Sequence, residues 1–376
     1  MRYYVIAGEA SGDLHASNLI RELIRLDATA VVRGWGGDLM REAGADVARH
    51  YKDTAVMGFL TVVRNVGKIR ENLRACLQDI REWRPDVVVL VDYGGFNLRV
   101  AALLEGGATR VFYYISPKVW AWNTGRVRKI RRLVERMFVI FPFEVEFYRS
   151  FGYQVYYAGN PLVDAIERRE GKGERFEEFA GRNGLSRKPI VALLAGSRLQ
   201  ELKHVLPKMA RMAGRFPGYQ FVVAGAPSMT DGDYAPFLEG TGIRVVHGQT
   251  YRLLQQARAA LVTSGTATLE TALLGVPQVV CYSGEGGALS YWLFKWFVKV
   301  RFISLVNLVA GEEVVRELLM QKLNDRNLFS SLSAILDDPD ARRRVEEGYA
   351  EVRRRLGGVG ASARVAALMV DALREG

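Results

Sequence analysis

A carboxylate at the end of an apolar run, beside glycines, has the setting a proton-transfer group needs. The sequence holds two of them. Glu9 stands in Gly8-Glu9-Ala10-Ser11-Gly12-Asp13, directly after the run 3–7. Asp92 stands in Asp92-Tyr93-Gly94-Gly95-Phe96-Asn97, directly after the run 87–91. Each reads either as a general base or as a turn carboxylate bonding its own backbone. Gly8 and Gly12 let the backbone approach a ligand closely, while Ser11 or Asp13 alternatively caps the following helix. Neither the Gly-Lys-Ser/Thr ending of a triphosphate loop nor the G-x-G-x-x-G spacing of a dinucleotide loop is present here.

The second half carries groups suited to an anion. Gly196-Ser197-Arg198 follows the run 190–194, and Ser197 with Gln200 has the spacing of a capping box. Arg198 then stands at the positive end of a helix, which suits a diphosphate. Ser264-Gly265-Thr266-Ala267 opens another helix after the run 260–263, a second place where backbone N–H groups gather. Glu270, one turn further, is spaced to accept from ribose hydroxyls, and Gly248 and Gln249 offer backbone groups to a base edge. Together these residues read as a nucleoside-diphosphate pocket, most economically one for a sugar nucleotide. Asp231-Gly232-Asp233 has the form of a metal-holding D-x-D, but it lies beyond its strand, and the pocket already holds positive charge. It reads as a turn, so no metal and no other cofactor is expected. Trp120 and Trp122, two apart after the run 111–115, either stack on a sugar, line an acyl pocket or fill core.

These loops need a scaffold that brings strand ends together. Runs such as Val-Val-Val-Leu-Val at 87–91 lack period-two alternation, so both faces are buried, as in a parallel sheet between helices. Strands are expected at 3–7, 31–34, 87–91, 111–115 and 137–141, and again at 190–194, 220–224, 243–247, 260–263 and 278–282. Strand–helix alternation throughout implies an α/β fold of two Rossmann-like, doubly wound parallel-sheet domains facing across a cleft. The expected division is a first domain at 1–166 and a second at 167–336 that carries the nucleoside-diphosphate pocket. Residues 337–376 are a helical tail that packs on the N-terminal domain or on a partner subunit.

Composition narrows the partners. With 52 Lys and Arg against 41 Asp and Glu, the net charge of +11 calls for an anion: nucleic acid, a phosphorylated substrate or an acidic membrane. Basic residues cluster at 126–132, yet no nucleic-acid module accompanies them, so no nucleic acid is expected. Two separate cysteines exclude a disulfide framework. No export signal and no apolar run of eighteen residues is present, which points to a cytoplasmic protein, soluble or peripheral.

Six motifs, G-E-A-S-G-D at 8–13, S-P-x-V-W-A-W at 116–122, F-P-F-E at 141–144, G-S-R at 196–198, S-G-T-A-T-L-E at 264–270 and S-L-V-N-L at 304–308, resemble those of the lipid-A-disaccharide synthases. They run in family order over almost the whole chain. The resemblance implies a GT-B-like fold and a metal-independent, inverting glycosyltransferase. It would join UDP-2,3-diacylglucosamine to 2,3-diacylglucosamine 1-phosphate by a β(1→6) bond and release UDP. The resemblance also implies that the domain at 1–166 binds the acceptor and the domain at 167–336 the UDP-sugar. Asp92 would be the base, with Glu9 in reserve, and Arg198 would stabilise the departing UDP. Gly8, Ser11, Gly12, Asp13, Trp120 and Trp122 would face the acceptor, and Asn307 would be a polar positioning group. Asn160 stands where many members carry His, and it is not assigned as the base.

Lipid substrates also give a meaning to 288–306. There Trp292 and Trp296 alternate with Lys295, Lys299 and Arg301, as in an interfacial helix, the alternative being a core helix. The implied location is the cytoplasmic face of the inner membrane of a Gram-negative-type bacterium, against its anionic surface; a homodimer is left open. The rival readings are another UDP-GlcNAc enzyme of this fold (a lipid-linked N-acetylglucosaminyltransferase or a 2-epimerase) and a basic nucleic-acid-binding protein.

Overall fold

The computed structural model describes residues 1–54, 66–122, 124–283 and 301–375. The chain divides into two compact units, Met1–Pro161 with Gly358–Gly376, and Leu162–Gly357. The expected tail 337–376 is therefore split. Helix Pro339–Leu356 belongs to the second unit, whereas helix Ala361–Arg374 returns to the first.

The first unit holds a parallel sheet of β1 (Arg2–Ala7), β2 (Val31–Gly36), β3 (Asp46–His50), β4 (Val87–Val91), β5 (Arg110–Tyr114), β6 (Arg136–Val139) and β7 (Tyr156–Tyr157). Their order in space is β3-β2-β1-β4-β5-β6-β7. Alternation along each strand sends side chains to opposite faces. Tyr3, Val5, Val89 and Phe112 pack under helices Ala10–Leu26 and Ala361–Arg374, with Leu19, Ile20, Val365 and Met369 from those helices. Tyr4, Ile6, Val88, Leu90 and Tyr113 face the other way, against Ile80, Val127 and Ile130. Burial of each large apolar side chain contributes about 1.5–3 kcal/mol, which is why the central strands are apolar on both faces.

The second unit repeats the plan with β8 (Ile190–Leu194), β9 (Gln220–Gly225), β10 (Arg244–His247), β11 (Ala257–Thr263), β12 (Gln278–Tyr282) and β13 (Arg316–Leu319), in the order β10-β9-β8-β11-β12-β13. Strand order reverses between β1 and β4 in one sheet and between β8 and β11 in the other. At such reversals the loops leaving neighbouring strands part company and open a crevice for ligands.

Three strands were not expected from the sequence. β3, β7 and β13 are sheet edges or near them, with half-exposed and charged residues such as Asp46, Arg49 and Arg316 in place of a continuous apolar run. In the basic helix Arg126–Leu133, Val127, Ile130 and Leu133 are buried while the basic residues lie on the outer face, where Arg132 pairs with Glu105. Trp292, Lys295, Trp296 and Lys299 lie outside the described residues. Arg301 is exposed, its guanidinium 5.0 Å from the Phe302 ring centre.

Candidate functional site

Four of the loops singled out by sequence lie at the two strand-order reversals. In the first unit Ala7 of β1 is in register with Val91 of β4, so Gly8 and Glu9 emerge beside Asp92 and Tyr93. Gly8 is required there by a close approach, since a Cβ on it would lie 2.2 Å from the Tyr93 ring. Glu9 is exposed at the N-cap of helix Ala10–Leu26, and Ser11 is exposed in its first turn. Gly12 is buried against Ala7.

Asp13 caps a helix, though not its own. Its buried carboxylate accepts from the backbone N–H groups of Gly37 (2.7 Å), Met40 (3.1 Å) and Leu39 (3.2 Å), at the start of helix Asp38–Glu42. With those bonds made, it braces the loop after β2 and is corrected from an acceptor contact to a structural group.

Asp92 and Tyr93 both adopt left-handed backbone, with φ of 47° and 49°. Each such residue costs about 1–3 kcal/mol and persists only where its surroundings over-determine it. Here they do. The Asp92 carbonyl accepts from Tyr113 Oη at 2.6 Å and from Asn97 Nδ2 at 2.8 Å, and its N–H donates to Tyr114 O at 3.0 Å. The same Asn97 amide group reaches Val91 O at 3.2 Å and Ile6 O at 3.5 Å, tying together the ends of β4 and β1. Burial pushes the Asp92 carboxyl above the usual carboxylate range, while the Lys118 charge and the Tyr93 N–H pull it back. A carboxyl with raised proton affinity, fixed at a strand end, is equipped to take a proton.

Beyond β5, Trp120 is buried with its ring edge-on to Phe143 at 5.0 Å, so it fills core and does not stack on a ligand. The Trp122 side chain lies outside the described residues. A polar cluster that sequence reasoning did not single out lies beneath this loop. Glu144 is buried, with Oε1 accepting from Ser116 Oγ at 2.5 Å and Oε2 from the N–H groups of Phe141 (3.0 Å) and Ile140 (3.2 Å). Burial drives its carboxyl up to about 7 against those hydrogen bonds. Its bond back to the Phe141 N–H is the Glu half of a capping box, but Phe141 has no side-chain acceptor to complete the Ser/Thr-x-x-Glu signal, so the sequence did not announce it. Asn160, also buried, donates to Ile140 O at 2.8 Å and anchors the end of the same segment.

In the second unit Leu194 of β8 is in register with Val262 of β11, so Gly196-Ser197-Arg198 and Ser264-Gly265-Thr266 leave adjacent strands. The N-cap of helix Leu199–Ala210 is Arg198, not Ser197, and the expected Ser197–Gln200 box does not form. Glu201 takes that part, accepting from the Ser197 N–H at 3.0 Å and pairing with Arg198 at 3.3 Å. Gly196 has φ of 105°, with the Glu201 carboxylate where a Cβ would be. The Arg198 side chain is 80% exposed and so is free to turn onto an anion.

Ser264 Oγ donates to Ile303 O at 3.1 Å, and Gly265, at φ of 156°, caps helix Thr266–Leu273. Thr266 is exposed and Ala267 half-buried in its first turn. Glu270 accepts from Tyr251 Oη at 2.7 Å, and burial raises its carboxyl against that bond. Gly248 turns at φ of 68°, and the Gln249 amide pairs with Asn183 at 3.0 Å.

Two expectations are corrected here. Asp231-Gly232-Asp233 is the first turn of helix Asp231–Leu238, with Asp233 capping Thr230 and Asp231 2.8 Å from His247 Nε2. Asn307 is buried, and its amide bonds Val314 N–H, Val315 N–H, Val315 O and Glu317, all at 2.8–2.9 Å. With its amide committed in this way it fixes the segment before β13 and has no capacity left for a substrate.

Comparison with known proteins agrees with this architecture. A family model described as lipid-A-disaccharide synthetase matches residues 3–366. A lipid-A-disaccharide synthase of Geobacter metallireducens is 40% identical, over 99% of this chain and 97% of that one. Among solved structures, S. aureus MnaA with UDP superposes with a TM-score of 0.69 at 12% identity, over 99% and 97% of the two chains. The UDP-GlcNAc 2-epimerase of Neisseria meningitidis bound to UDP-GlcNAc gives 0.65 at 13%, over the whole of both. At such identities the likeness speaks to the GT-B-type fold alone.

Proposed function

The chain belongs to the lipid-A-disaccharide synthase family, which makes it a glycosyltransferase of lipid A biosynthesis, and we propose that it joins UDP-2,3-diacylglucosamine to 2,3-diacylglucosamine 1-phosphate. The acceptor's 6-hydroxyl oxygen attacks the donor's anomeric carbon from the face opposite UDP. Asp92 takes the hydroxyl proton as the new C–O bond forms. The anomeric carbon–oxygen bond to the diphosphate breaks, UDP leaves with its electron pair, and the β(1→6) linkage results by inversion. The observation that carries this reading is the strained Asp92 backbone, pinned through its carbonyl at the strand-order reversal, which presents a part-buried carboxyl at the end of β4. Glu9, exposed at a helix start, is the reserve.

UDP is held by the second unit. Arg198 and the helix ends at Ser197 and at Ser264, Gly265, Thr266 and Ala267 meet the charge that builds on the diphosphate. Glu270, steadied by Tyr251, holds the ribose, and the turn at Gly248 and Gln249 meets the base. Gly8, Ser11 and Gly12 form the acceptor side of the first unit. The acyl chains of both substrates keep the enzyme at the anionic cytoplasmic face of the inner membrane, a reading supported by the basic outer face of helix Arg126–Leu133.

Incubation of the purified protein with the two acylated sugars, followed by mass analysis, is expected to yield the disaccharide 1-phosphate and UDP. Folded protein that binds UDP but forms no disaccharide would overturn the substrate assignment. In a companion pelleting assay, binding to anionic phospholipid vesicles should weaken steeply as salt rises from low to physiological levels. Retention indifferent to salt rules out the electrostatic part.

A further inference from the structure

Asp92 and Tyr93 are not alone in their strain. Ile115, one residue past β5, has φ of 66°, a conformation that a β-branched residue scarcely tolerates. β4 and β5 are adjacent in register, Val91 opposite Tyr114, so both neighbouring loops leave the sheet through forced backbone. The two loops are also bonded to each other. The Asp92 N–H donates to Tyr114 O at 3.0 Å, and that oxygen belongs to the peptide joining Tyr114 to Ile115. The N–H of the same peptide, on Ile115, donates to Phe138 O of β6 at 3.0 Å. Whatever fixes this peptide also fixes where the Asp92 N–H is received.

A second bridge to β6 follows directly. Ser116 Oγ donates to Glu144 Oε1 at 2.5 Å, while Glu144 Oε2 accepts from the N–H groups of Phe141 at 3.0 Å and Ile140 at 3.2 Å. One carboxylate thus joins the segments that leave β5 and β6. Ser116 and Glu144 are both buried, so water does not replace these bonds and losing one leaves a polar group unsatisfied. Pro117, next in the chain, packs closely on the Asp92 loop: a Cβ on Gly94 would lie 3.0 Å from Pro117 Cβ and 3.2 Å from its Cγ. The segment 114–117 therefore meets that loop twice, by a hydrogen bond at Asp92 and by packing at Gly94.

We infer, on the reading of Asp92 as the base, that Ser116 and Glu144 are positioning residues for it: their buried bond holds the strained Ile115 turn, and that turn aims Asp92 through Tyr114 O and Pro117. A left-handed β-branched residue persists only while its surroundings over-determine it. Without the bridge Ile115 relaxes, and the peptide that receives the Asp92 N–H turns with it. A base must meet its proton within hydrogen-bond reach, and a misplacement of about 1 Å costs about a hundredfold in rate.

The test is a double-mutant cycle read in kcat with both acylated substrates. Ser116→Ala is expected to lower kcat about ten- to a hundredfold, with UDP affinity within about twofold of wild type. In an Asp92→Asn background the same change should cost less than about twofold of the residual kcat, because the group it aims is already gone. An equal loss in both backgrounds marks a merely structural role and overturns the inference. Glu144→Gln should stay within about threefold of wild type, since its amide oxygen can accept from Ile140 and Phe141 while its nitrogen donates to Ser116. Gly94→Ala is the second probe, should Ser116→Ala fold poorly. Gly94 opens helix Gly94–Leu104, where alanine is the better helix former, so the melting temperature should not fall. The added Cβ displaces Pro117 instead, and kcat should drop about tenfold, again only while Asp92 is present. Wild-type kcat in either Ser116→Ala or Gly94→Ala overturns the inference and leaves the base reading standing. Full turnover by Asp92→Asn brings down the base reading, and this inference with it.

Discussion

Asp92→Asn is expected to lower kcat by about 10²- to 10⁴-fold, the range that a positioned general base contributes, with little change in the affinity for UDP. Asparagine is the informative replacement because it keeps the shape of the side chain and tolerates left-handed backbone as aspartate does. The bonds from Asn97 and Tyr113 go to the Asp92 carbonyl, so they survive the change. Stability should move the other way. The folded protein raises the proton affinity of this carboxyl by burial, so ionising it opposes folding, and that penalty grows as pH rises through the folded-state pKa. Asparagine carries no charge and escapes the penalty, so the variant should melt no lower than wild type at pH 8. Loss of turnover with undiminished thermal stability is the expected pair of results. Near-normal turnover would move the role to Glu9, for which Glu9→Gln is the matching measurement.

What the sequence disclosed, and what it did not, follows from the range of the interactions involved. Val87–Val91 is legible because a strand buried on both faces must be apolar at every position, and its ending in an Asp and two glycines marks the loop that matters. The same holds for Ile190–Leu194 and the Gly-Ser-Arg that follows. β3 and β13 were not legible, since a sheet edge asks for no particular pattern once one face meets solvent. Asn307 was read as a polar positioning group and Asp13 as an acceptor-side residue or a helix cap, because a polar residue in a motif gives no hint of whether its partners are a ligand or the protein's own backbone. The structure answers with four bonds to one and three to the other. Likewise the positive φ of Ile115 has no local signature, because it is imposed by neighbours 20 and more residues away. The Ser116–Glu144 bond spans 28 residues, and neither partner alone announces the other.

Arg198→Ala is expected to lower kcat/KM by about 10²- to 10³-fold, as removal of a preorganised charge at a leaving group does elsewhere. The argument begins from how little the side chain does in the free protein. It is 80% exposed, and its ion pair with Glu201, three residues along the same helix, is 3.3 Å long. An exposed pair of that kind contributes under about 1 kcal/mol to folding, so its loss leaves the melting temperature nearly unchanged. In the proposed complex the same guanidinium would form charge-assisted bonds to a diphosphate seated over a helix N-terminus, where the backbone has already assembled partial positive charge. Those bonds strengthen as the anomeric carbon–oxygen bond breaks and the charge of UDP completes itself. The penalty should therefore fall more on kcat than on the dissociation constant for UDP. Arg198→Lys should recover part of the rate, since it keeps the charge and loses the two-pronged geometry. Equal losses in UDP binding and in kcat/KM, with kcat intact, would reduce Arg198 to a ground-state anchor. An unaltered kcat/KM would remove it from the site.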